Sequence, residues 1–193
     1  MLLILPENIL LFGEIENALV IGVEVLSKYT NPKDIGTAIL LGDGAGATLI
    51  GRSKEQKKYC TKIESEAEKG EILTCHANQK IYMDGKSVYK YAISKTVENV
   101  ETLLKENGEE IKNIKYIIPH QSNIRILEKI SEKLKIDFSK LYVNIQEVGN
   151  TFCASIPIAL DEMIEKKLIA EGDKIILLGY GGGLNLGSIL LEI

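Results

Sequence analysis

The chain carries one apolar and glycine-rich pattern twice, and this internal repeat narrows the folds that it can adopt. Residues 18–26 form a nearly continuous apolar run, and the glycine-rich segment 41–51 follows it. Residues 174–178 are likewise followed by the glycine-rich segment 179–193. Each copy predicts a buried strand, a cluster of glycines and a second apolar strand. Two copies of one terminal unit indicate a duplicated architecture.

The chain from residue 59 onward alternates between strand and helix patterns. Short apolar or alternating runs predict strands over residues 59–66, 116–118, 141–145, 174–178 and 186–193. Apolar residues at helical spacing predict helices over residues 87–104, 124–134 and 152–168. The resulting order, βαβαβαββ, predicts an α/β fold in which helices cover both faces of a mixed, five-stranded sheet.

The first copy of the pattern is shorter than the second. Only 17 residues precede it, which is too few for one βα unit of roughly 30 residues. We therefore predict that residues 1–51 are the last two strands of a truncated first repeat. Residues 52–193 are then predicted to be the C-terminal domain, formed by the second repeat.

Charge and composition exclude several classes of partner. The chain has 193 residues, a formal net charge of -4 and a sequence pI near 5.4. Binding to nucleic acid through counterion release needs a concentrated positive surface, so we expect no nucleic-acid partner. Residues 1–12 are apolar but too short to cross a bilayer, and they lack the basic start of a signal peptide. These features predict a cytoplasmic protein without a membrane partner.

The cysteines and histidines predict no metal site. The three cysteines have unrelated spacings and form no CxxC pair; they are Cys60, Cys75 and Cys153. Only His76 and His120 could add nitrogen ligands, so a structural zinc site lacks its ligand set. The glycines at 41–47 also do not form a phosphate-binding loop, because no Gly-Lys-Ser/Thr sequence and no helix follow them.

Two polar residues follow predicted strands at the edge of the sheet where α/β folds bind ligands. His120 lies just past residues 116–118, and Asn150 lies past residues 141–145 and before a helix. Both side chains are therefore predicted to face one crevice. The residues alone leave two alternatives open: His120 as a helix-start residue, and Asn150 as an N-cap or turn residue after Gly149.

Four motifs, in this order along the chain, resemble those of the β-ketoacyl-acyl-carrier-protein synthase III family. They are the GDGAGA-like segment at 41–47, the PHQAN-like segment at 119–125, the GNT segment at 149–151, and the GGG and GS segments within 180–188. The resemblance covers nearly all of residues 14–193. It implies a thiolase-like fold of two repeats, with the first strand of the sheet at its centre, between the second and fourth strands.

The family resemblance also implies a reaction, the decarboxylative Claisen condensation of fatty acid synthesis. An acyl group moves from coenzyme A to a cysteine, and malonyl-acyl carrier protein then loses carbon dioxide and attacks the thioester. The implied partners are an acyl-coenzyme A thioester and acyl carrier protein, and the implied cofactor requirement is none beyond these substrates.

Several site residues take their roles from this resemblance. His120 and Asn150 are implied to be catalytic, as donors of hydrogen bonds to the oxygen that gains charge when malonate becomes an enolate. This role requires that the histidine stays neutral in an apolar site. The backbone amide of Gly182 is implied to bind a thioester oxyanion, although a bend between two strands would also explain these glycines. Tyr180 departs from the phenylalanine that is usual in the family.

The resemblance further implies residues that bind the substrate and the carrier protein. Asn123 and Gly85 match positions that meet the pantetheine arm, and Arg125 matches a position implicated in carrier-protein docking. Basic residues recur at helical spacing and form a stripe: Arg125, Lys129 and Lys133. An acidic carrier protein would be attracted to this stripe. The alternative is a solvated helix face that Glu128 and Glu132 neutralise.

The nucleophile of the family is a cysteine that precedes the GDGAGA segment, and no cysteine precedes residue 41 here. Residues 1–12 also do not resemble the family. We therefore expect a fragment, a truncated reading frame or one chain of a split enzyme, which associates as a homodimer or with a missing N-terminal half. Cys153 is the one candidate nucleophile, because it lies near a helix N-terminus, whereas the common role of cysteine is a small buried residue.

The other hypotheses for the function of the chain are non-catalytic binding of acyl-coenzyme A or carrier protein, and a structural remnant of dimerisation.

Overall fold

The structure, a computed structural model, describes residues 16–51, 55, 57–76 and 79–193 of the chain. The structural expectations for residues 1–12 lie outside the described residues. In the described part of the chain, no helix is both long enough and apolar enough to cross a membrane.

The first copy of the repeat forms a separate two-stranded antiparallel sheet. Strand β1 (Asn17–Glu24) is followed by the one-turn helix α1 (Ile35–Ala38) and by strand β2 (Gly44–Gly51). The two strands pair along their whole length, from Asn17 opposite Gly51 to Glu24 opposite Gly44. Both strands predicted for the first copy are therefore present.

The rest of the described chain alternates between strands and helices. Its elements, in chain order, are β3 (Tyr59–Ser65), β4 (Leu73–Thr74), β5 (Tyr82–Met83), α2 (Gly85–Glu106), β6 (Tyr116–Pro119), α3 (Ile124–Leu134), α4 (Ile145–Val148), α5 (Ser155–Glu165), β7 (Lys174–Gly181) and β8 (Asn185–Glu192). The helix predicted over 124–134 is confirmed at both ends. The helix predicted over 152–168 is divided into a short 3₁₀ turn at residues 152–154 and the α-helix α5.

The main sheet has the strand order β3-β8-β7-β6. Strand β6 runs parallel to β7, whereas β8 is antiparallel to both of its neighbours, so the sheet is mixed. A single parallel bridge between Ile117 and Leu141 marks a fifth position beside β6. The strand predicted over 141–145 ends there, because the backbone N–H of Asn144 donates to the side chain of Gln121 (3.0 Å) and helix α4 begins one residue later.

The expected position of the first strand at the centre of the sheet is wrong. Strand β3 lies at the edge, paired with β8 from Tyr59 opposite Leu191 to Ser65 opposite Asn185. Both edges of β7 are already used, by β6 on one side and by β8 on the other. The chain returns from β7 to β8 through a tight glycine turn, and the free edge of β8 is then the one that β3 pairs with.

Helices cover the main sheet on both faces because side chains of β7 alternate between two cores. Ile176 and Leu178 pack with α2 and α3 in one buried cluster, and Ile175 and Leu177 pack with α5 in a second cluster. Both clusters are solvent-free at their centres, since all four side chains are at most 5% exposed. The prediction of a two-sided sheet is confirmed by this arrangement.

Glycines let the hairpin of β1 and β2 lie directly against the 3₁₀ turn and α5. A Cβ atom added at Gly22 would lie 2.7 Å from the backbone oxygen of Cys153, and one added at Gly46 would lie 2.7 Å from Cβ of Pro157. Side chains at these positions would therefore force the hairpin away from the 3₁₀ turn and α5. The glycine-rich segment 41–47 is a packing surface in this structure.

The opposite face of the same hairpin is apolar and uncovered by the described residues. Its large side chains are between 53% and 69% exposed, and they are Leu19, Ile21, Val23 and Leu49. They alternate along the two strands with the residues that face α5. The hairpin therefore has two apolar faces, of which the described chain buries one.

Candidate active site

One cavity of about 540 Å³ lies where the β1–β2 hairpin meets the elements that follow it in the chain. It is lined by β1, by the start of α2, and by the loops that follow β6 and β7. Six of the residues singled out from the sequence line it, namely Gly85, His120, Asn123, Asn150, Cys153 and Gly182. Arg125 and Lys129 do not belong to this lining; they lie on helix α3.

His120 directly follows β6, and its backbone extends the pairing with β7. Its N–H donates to the carbonyl of Leu178 at 2.7 Å. The side chain is 8% exposed, and this burial lowers the pKa of the imidazole to about 4. The ring is therefore neutral at pH 7, which is the state that hydrogen-bond donation from one nitrogen requires.

Two contacts fix the orientation of the His120 ring. Nδ1 lies 2.7 Å from the hydroxyl oxygen of Ser155, and the ring of Tyr180 meets the imidazole edge to face, with centroids 5.4 Å apart and planes at 80°. Within the described part of the chain, Nε2 has no hydrogen-bond partner. Since His120 lines the cavity, this nitrogen is available to a bound molecule.

Asn150 is held at the cavity by the segment that follows α1. Its backbone N–H donates to the carbonyl of Leu40 at 2.7 Å, and its carbonyl accepts the N–H of Gly42 at 2.9 Å. Its side-chain oxygen accepts the N–H of Phe152 at 3.1 Å, as in the turn alternative considered from the sequence. Among the described residues its side-chain NH₂ group has no hydrogen-bond partner, so it can donate to a ligand.

Gly42 and Gly149 explain why both segments at Asn150 are rich in glycine. A Cβ atom at Gly42 would collide with the backbone oxygen of Val148. Gly149 has a φ of 70°, and a Cβ atom added there would lie 3.3 Å from the backbone of Gly42. The two backbones can approach closely only without side chains, and this approach positions Asn150.

The substitution Gly42→Ala is therefore expected to destabilise the chain by about 2 kcal/mol, because the added methyl group forces two packed backbones apart. Urea denaturation measures the loss. Gly36→Ala is the matched control, since its added Cβ would meet its nearest atom, Oδ1 of Asp34, at an ordinary 3.6 Å. Equal stability of the two variants would contradict the close approach inferred here.

The glycines after β7 also border the cavity. Gly181 and Gly182 line it, and Gly183 has a φ of 70°. The carbonyl of Gly182 accepts a hydrogen bond from the side chain of Asn185 at 2.8 Å, which fixes the turn into β8. The backbone at this turn therefore lies beside His120 and Asn150, as the oxyanion hypothesis requires.

Two helices begin at the cavity with polar caps. Oδ1 of Asp84 accepts the backbone N–H groups of Lys86 and Ser87 at the start of α2, both at 3.2 Å, next to Gly85. Oδ1 of Asn123 accepts the N–H of Arg125 at 2.9 Å at the start of α3. Asn123 therefore uses its oxygen as a cap, and its NH₂ group has no hydrogen-bond partner among the described residues.

The predicted basic stripe on α3 is only partly free. Lys129 forms an ion pair with Glu132, as the alternative of a neutralised helix face proposed. Arg125 is exposed and forms no ion pair with the described residues. Arg125 is also adjacent in sequence to the helix start at the cavity, so it is the stronger docking candidate of the two.

Two family models match the chain. The model described as 3-oxoacyl-[acyl-carrier-protein] synthase III matches residues 2–68, and the model of its C-terminal part matches residues 104–193. The match from residue 2 shows that residues 1–12 were wrongly predicted not to resemble the family.

Curated relatives and a solved structure agree with these matches. The chain is 43% identical over 194 residues to beta-ketoacyl-[acyl-carrier-protein] synthase III of Clostridium novyi (strain NT), which covers 93% of this chain and 60% of that protein. It is 42% identical over 191 residues to the synthase III of Clostridium beijerinckii, with 92% and 59% covered. The crystal structure of 3-oxoacyl-[acyl-carrier-protein] synthase III from Aquifex aeolicus VF5 matches with a TM-score of 0.96 and 37% identity, and covers 100% of this chain and 63% of that one.

The chain belongs to the synthase III family. The likeness to the Aquifex structure confirms the predicted α/β, thiolase-like fold class. The chain spans about 60% of the length of the curated relatives that it matches.

The surroundings of Cys153 disfavour it as the nucleophile of a synthase III. Partial burial and the neighbouring carboxylate of Glu24 raise the pKa of its thiol to about 11. At neutral pH it is a thiol, and a thiolate is the reactive form. The other two cysteines do not line the cavity, because Cys60 packs against the core of the main sheet and Cys75 is exposed.

Ser122 and Tyr180 are two departures from the family motifs that contact each other. Ser122 stands where the PHQAN motif has alanine, and Tyr180 stands where the family usually has phenylalanine. Their hydroxyl groups share a short hydrogen bond beside His120. Burial raises the pKa of Tyr180, so the phenol stays protonated. Each departure supplies the hydrogen-bond partner that the other needs in a buried site.

A double-mutant cycle is expected to show a coupling of about 1 kcal/mol between Ser122→Ala and Tyr180→Phe, because each single variant leaves one buried hydroxyl without its partner. The combined variant, which restores the family residues, is expected to cost less than the sum of the single variants. Chemical denaturation of the four proteins measures the coupling. Strictly additive effects would contradict it.

Gln121 is a further residue whose role the sequence did not reveal. Its side-chain NH₂ group donates to the carbonyls of Pro119 (2.8 Å) and Tyr142 (3.0 Å), and its oxygen accepts the N–H of Asn144 (3.0 Å). It therefore ties the loop of His120 to the loop that leads toward Asn150. The position beside His120 in the motif was the only sequence signal for it.

Proposed function

We propose that this chain contributes the histidine and asparagine of a 3-oxoacyl-[acyl-carrier-protein] synthase III site. The observation that carries the proposal is that His120 and Asn150, from two separate loops, line one cavity in which the imidazole is neutral. Relatives that bear this name match the chain over more than nine tenths of its length.

In the proposed reaction, the bond between the carboxylate and the α-carbon of the malonyl thioester breaks. Carbon dioxide leaves, and the electron pair forms an enolate whose oxygen carries the negative charge. The Nε2–H group of His120 and the NH₂ group of Asn150 donate hydrogen bonds to that oxygen. The enolate carbon then attacks an acyl thioester, and the resulting tetrahedral oxyanion, held by the backbone amide of Gly182, expels the thiolate of the enzyme.

We further propose that the thiol that carries the acyl group lies outside residues 1–193 of this sequence. The surroundings of all three cysteines argue against a nucleophilic role, as described above for Cys153, Cys60 and Cys75. The proposed division of the chain at residue 51 assigns the hairpin to a first repeat that would supply the thiol. A chain that acts alone would instead be a non-catalytic binder of acyl-coenzyme A, and the absence of a reactive thiol favours this second candidate.

The uncovered apolar face of the hairpin is the proposed contact for the rest of that first repeat. Strands β7 and β8, the equivalent pair in the second repeat, are covered by α2 and α3 on one face and by α5 on the other. Among the described residues, the β1–β2 hairpin has α5 on one face, and its other face is uncovered. If the first repeat resembles the second, its helices would cover the second face of the hairpin. The alternative is a homodimer that buries this face, and a measurement of mass in solution would detect it.

Malonyl decarboxylation tests the proposed function. The purified chain is incubated with malonyl-acyl carrier protein, and released carbon dioxide is compared with that from a His120→Ala, Asn150→Ala double variant. Faster release by the unmodified chain supports the proposal. Binding of acetyl-coenzyme A without any release above the double variant would favour the non-catalytic binder.

Docking of the acidic carrier protein is proposed to use Arg125. The change Arg125→Glu is expected to weaken carrier-protein affinity by about tenfold at low salt, with a smaller effect at high salt, because a rim charge acts mainly through long-range attraction. Calorimetric titration with acyl carrier protein measures it. Lys105→Glu, an equal charge change at the far end of α2, is the control, and an equal loss in both variants would contradict a specific docking role.

A further inference from the structure

The neutral His120 ring carries one proton, and the nitrogen that holds it decides whether the ring offers the cavity a hydrogen-bond donor or an acceptor. Its Nδ1 contacts the hydroxyl of Ser155, a residue that is fully buried at the start of α5. Nε2 has no partner among the described residues. If Nδ1 accepts a hydrogen bond, the neutral ring carries its proton on Nε2 and offers a donor to the cavity; if Nδ1 donates, Nε2 offers a lone pair.

The contacts of Ser155 favour one of these two states. Its hydroxyl has one proton and two acceptors within reach, the carbonyl of Phe152 at 2.8 Å and Nδ1 of His120 at 2.7 Å. The Phe152 carbonyl already accepts the backbone N–H of Ser155. Nδ1 has no other partner in the described chain, and a buried nitrogen without a partner is costly.

A third contact also favours donation of the Ser155 hydroxyl proton to Nδ1 of His120. The backbone N–H of Gln121 approaches the Ser155 oxygen at 3.4 Å and so occupies a lone pair of that oxygen. A hydroxyl that accepts a hydrogen bond becomes a better donor. Neutral imidazole side chains also intrinsically prefer the proton on Nε2.

We propose that Ser155 is a positioning residue that donates its hydroxyl proton to Nδ1 of His120 and thereby holds the Nε2–H tautomer toward the cavity. The catalytic value of this tautomer rests on the proposed function, in which Nε2–H stabilises the enolate. The tautomer itself is a property of the folded chain without substrate. Ser155 does not need to touch the substrate for this role.

Nitrogen NMR of the ¹⁵N-labelled chain at pH 7 tests the proposal. Long-range correlations distinguish the protonated from the unprotonated ring nitrogen, and the chain has only two histidines, so His76→Gln assigns the His120 signals. The expected spectrum has Nδ1 unprotonated and Nε2 protonated. In Ser155→Ala, the ratio of the Nε2–H to the Nδ1–H tautomer is expected to fall by about fivefold, the change for one lost buried hydrogen bond.

Ser131→Ala is the matched control. Ser131 is also a buried serine of a helix, and its hydroxyl donates to the carbonyl three residues earlier, that of Glu128, at 2.8 Å. It does not contact His120, so its loss is expected to leave the tautomer ratio unchanged. Ser155→Thr keeps a hydroxyl and is expected to restore most of the ratio.

Two results would overturn the proposal: a predominant Nδ1–H tautomer in the unmodified chain, or an unchanged ratio in a folded Ser155→Ala variant. If that variant does not fold, the spectrum of the unmodified chain decides alone. The expected tautomer together with no malonyl decarboxylation would refute the proposed function and leave the role of Ser155 intact.

Discussion

Replacing His120 by alanine is expected to lower malonyl decarboxylation by about a hundredfold to a thousandfold, because a preorganised hydrogen-bond donor to the enolate oxygen is lost. Asn150→Ala is expected to cause a loss of the same order, since its NH₂ group is the second donor. The rate of carbon dioxide release from malonyl-acyl carrier protein measures both effects.

His76→Ala serves as the control for the loss of a histidine. His76 is exposed and does not line the cavity, so its variant is expected to keep the rate of the unmodified chain. Circular dichroism establishes that each variant is folded before rates are compared. A His120→Ala rate within twofold of the control would remove His120 from the proposed chemistry.

Acidification between pH 6.5 and 4 is expected to destabilise the folded chain by about 3 kcal/mol through His120 alone. Burial lowers the pKa of this imidazole from 6.5 to about 4. In that window the unfolded state binds a proton that the folded state does not, so the free energy of unfolding falls as pH falls. Above pH 6.5 the histidine is neutral in both states and adds no pH dependence. Urea denaturation at a series of pH values measures the slope.

A variant without the titrating ring separates this effect from those of carboxylates. His120→Gln is expected to have a flatter stability profile between pH 6.5 and 4. Glu109 affects stability at lower pH, because hydrogen bonds from Lys174 and Asn113 lower the pKa of its carboxyl group from 4.5 to about 2. The stability that this carboxylate contributes is lost as the pH falls from 4.5 to about 2. Profiles for His120→Gln and the unmodified chain that run parallel above pH 4.5 would contradict the prediction.

Local sequence patterns correctly predicted the helices and strands whose own residues show which faces are buried. The helix over 124–134 was predicted from apolar residues at helical spacing, and the structure has the same bounds. Strands β6 and β7 are continuous apolar runs that are buried from both sides, which the sequence shows directly. Their order along the chain was therefore sufficient for the α/β class.

Contacts between residues that are far apart in the sequence decided the structural features that local patterns did not predict. Residues 141–145 have a strand-like sequence, yet the Gln121 side chain takes the N–H of Asn144 that a longer strand would use. The place of β3 at the sheet edge depends on which edges β6 and β8 leave free. Neither outcome is encoded in the segment that it affects.

For the site, the sequence by itself determined that His120 directly follows a strand, and the carboxyl-end rule for such sheets brought it to the crevice. Asn150 was predicted to follow a strand as well, but it follows helix α4 and still lines the same cavity. Only the tertiary structure decided their partners. Ser155 lies 35 residues from His120, and Tyr180 lies 58 residues from Ser122. Hydrogen bonds of this kind depend on distances of a few ångströms between separate elements, whereas periodicity reports only which face of an element is buried.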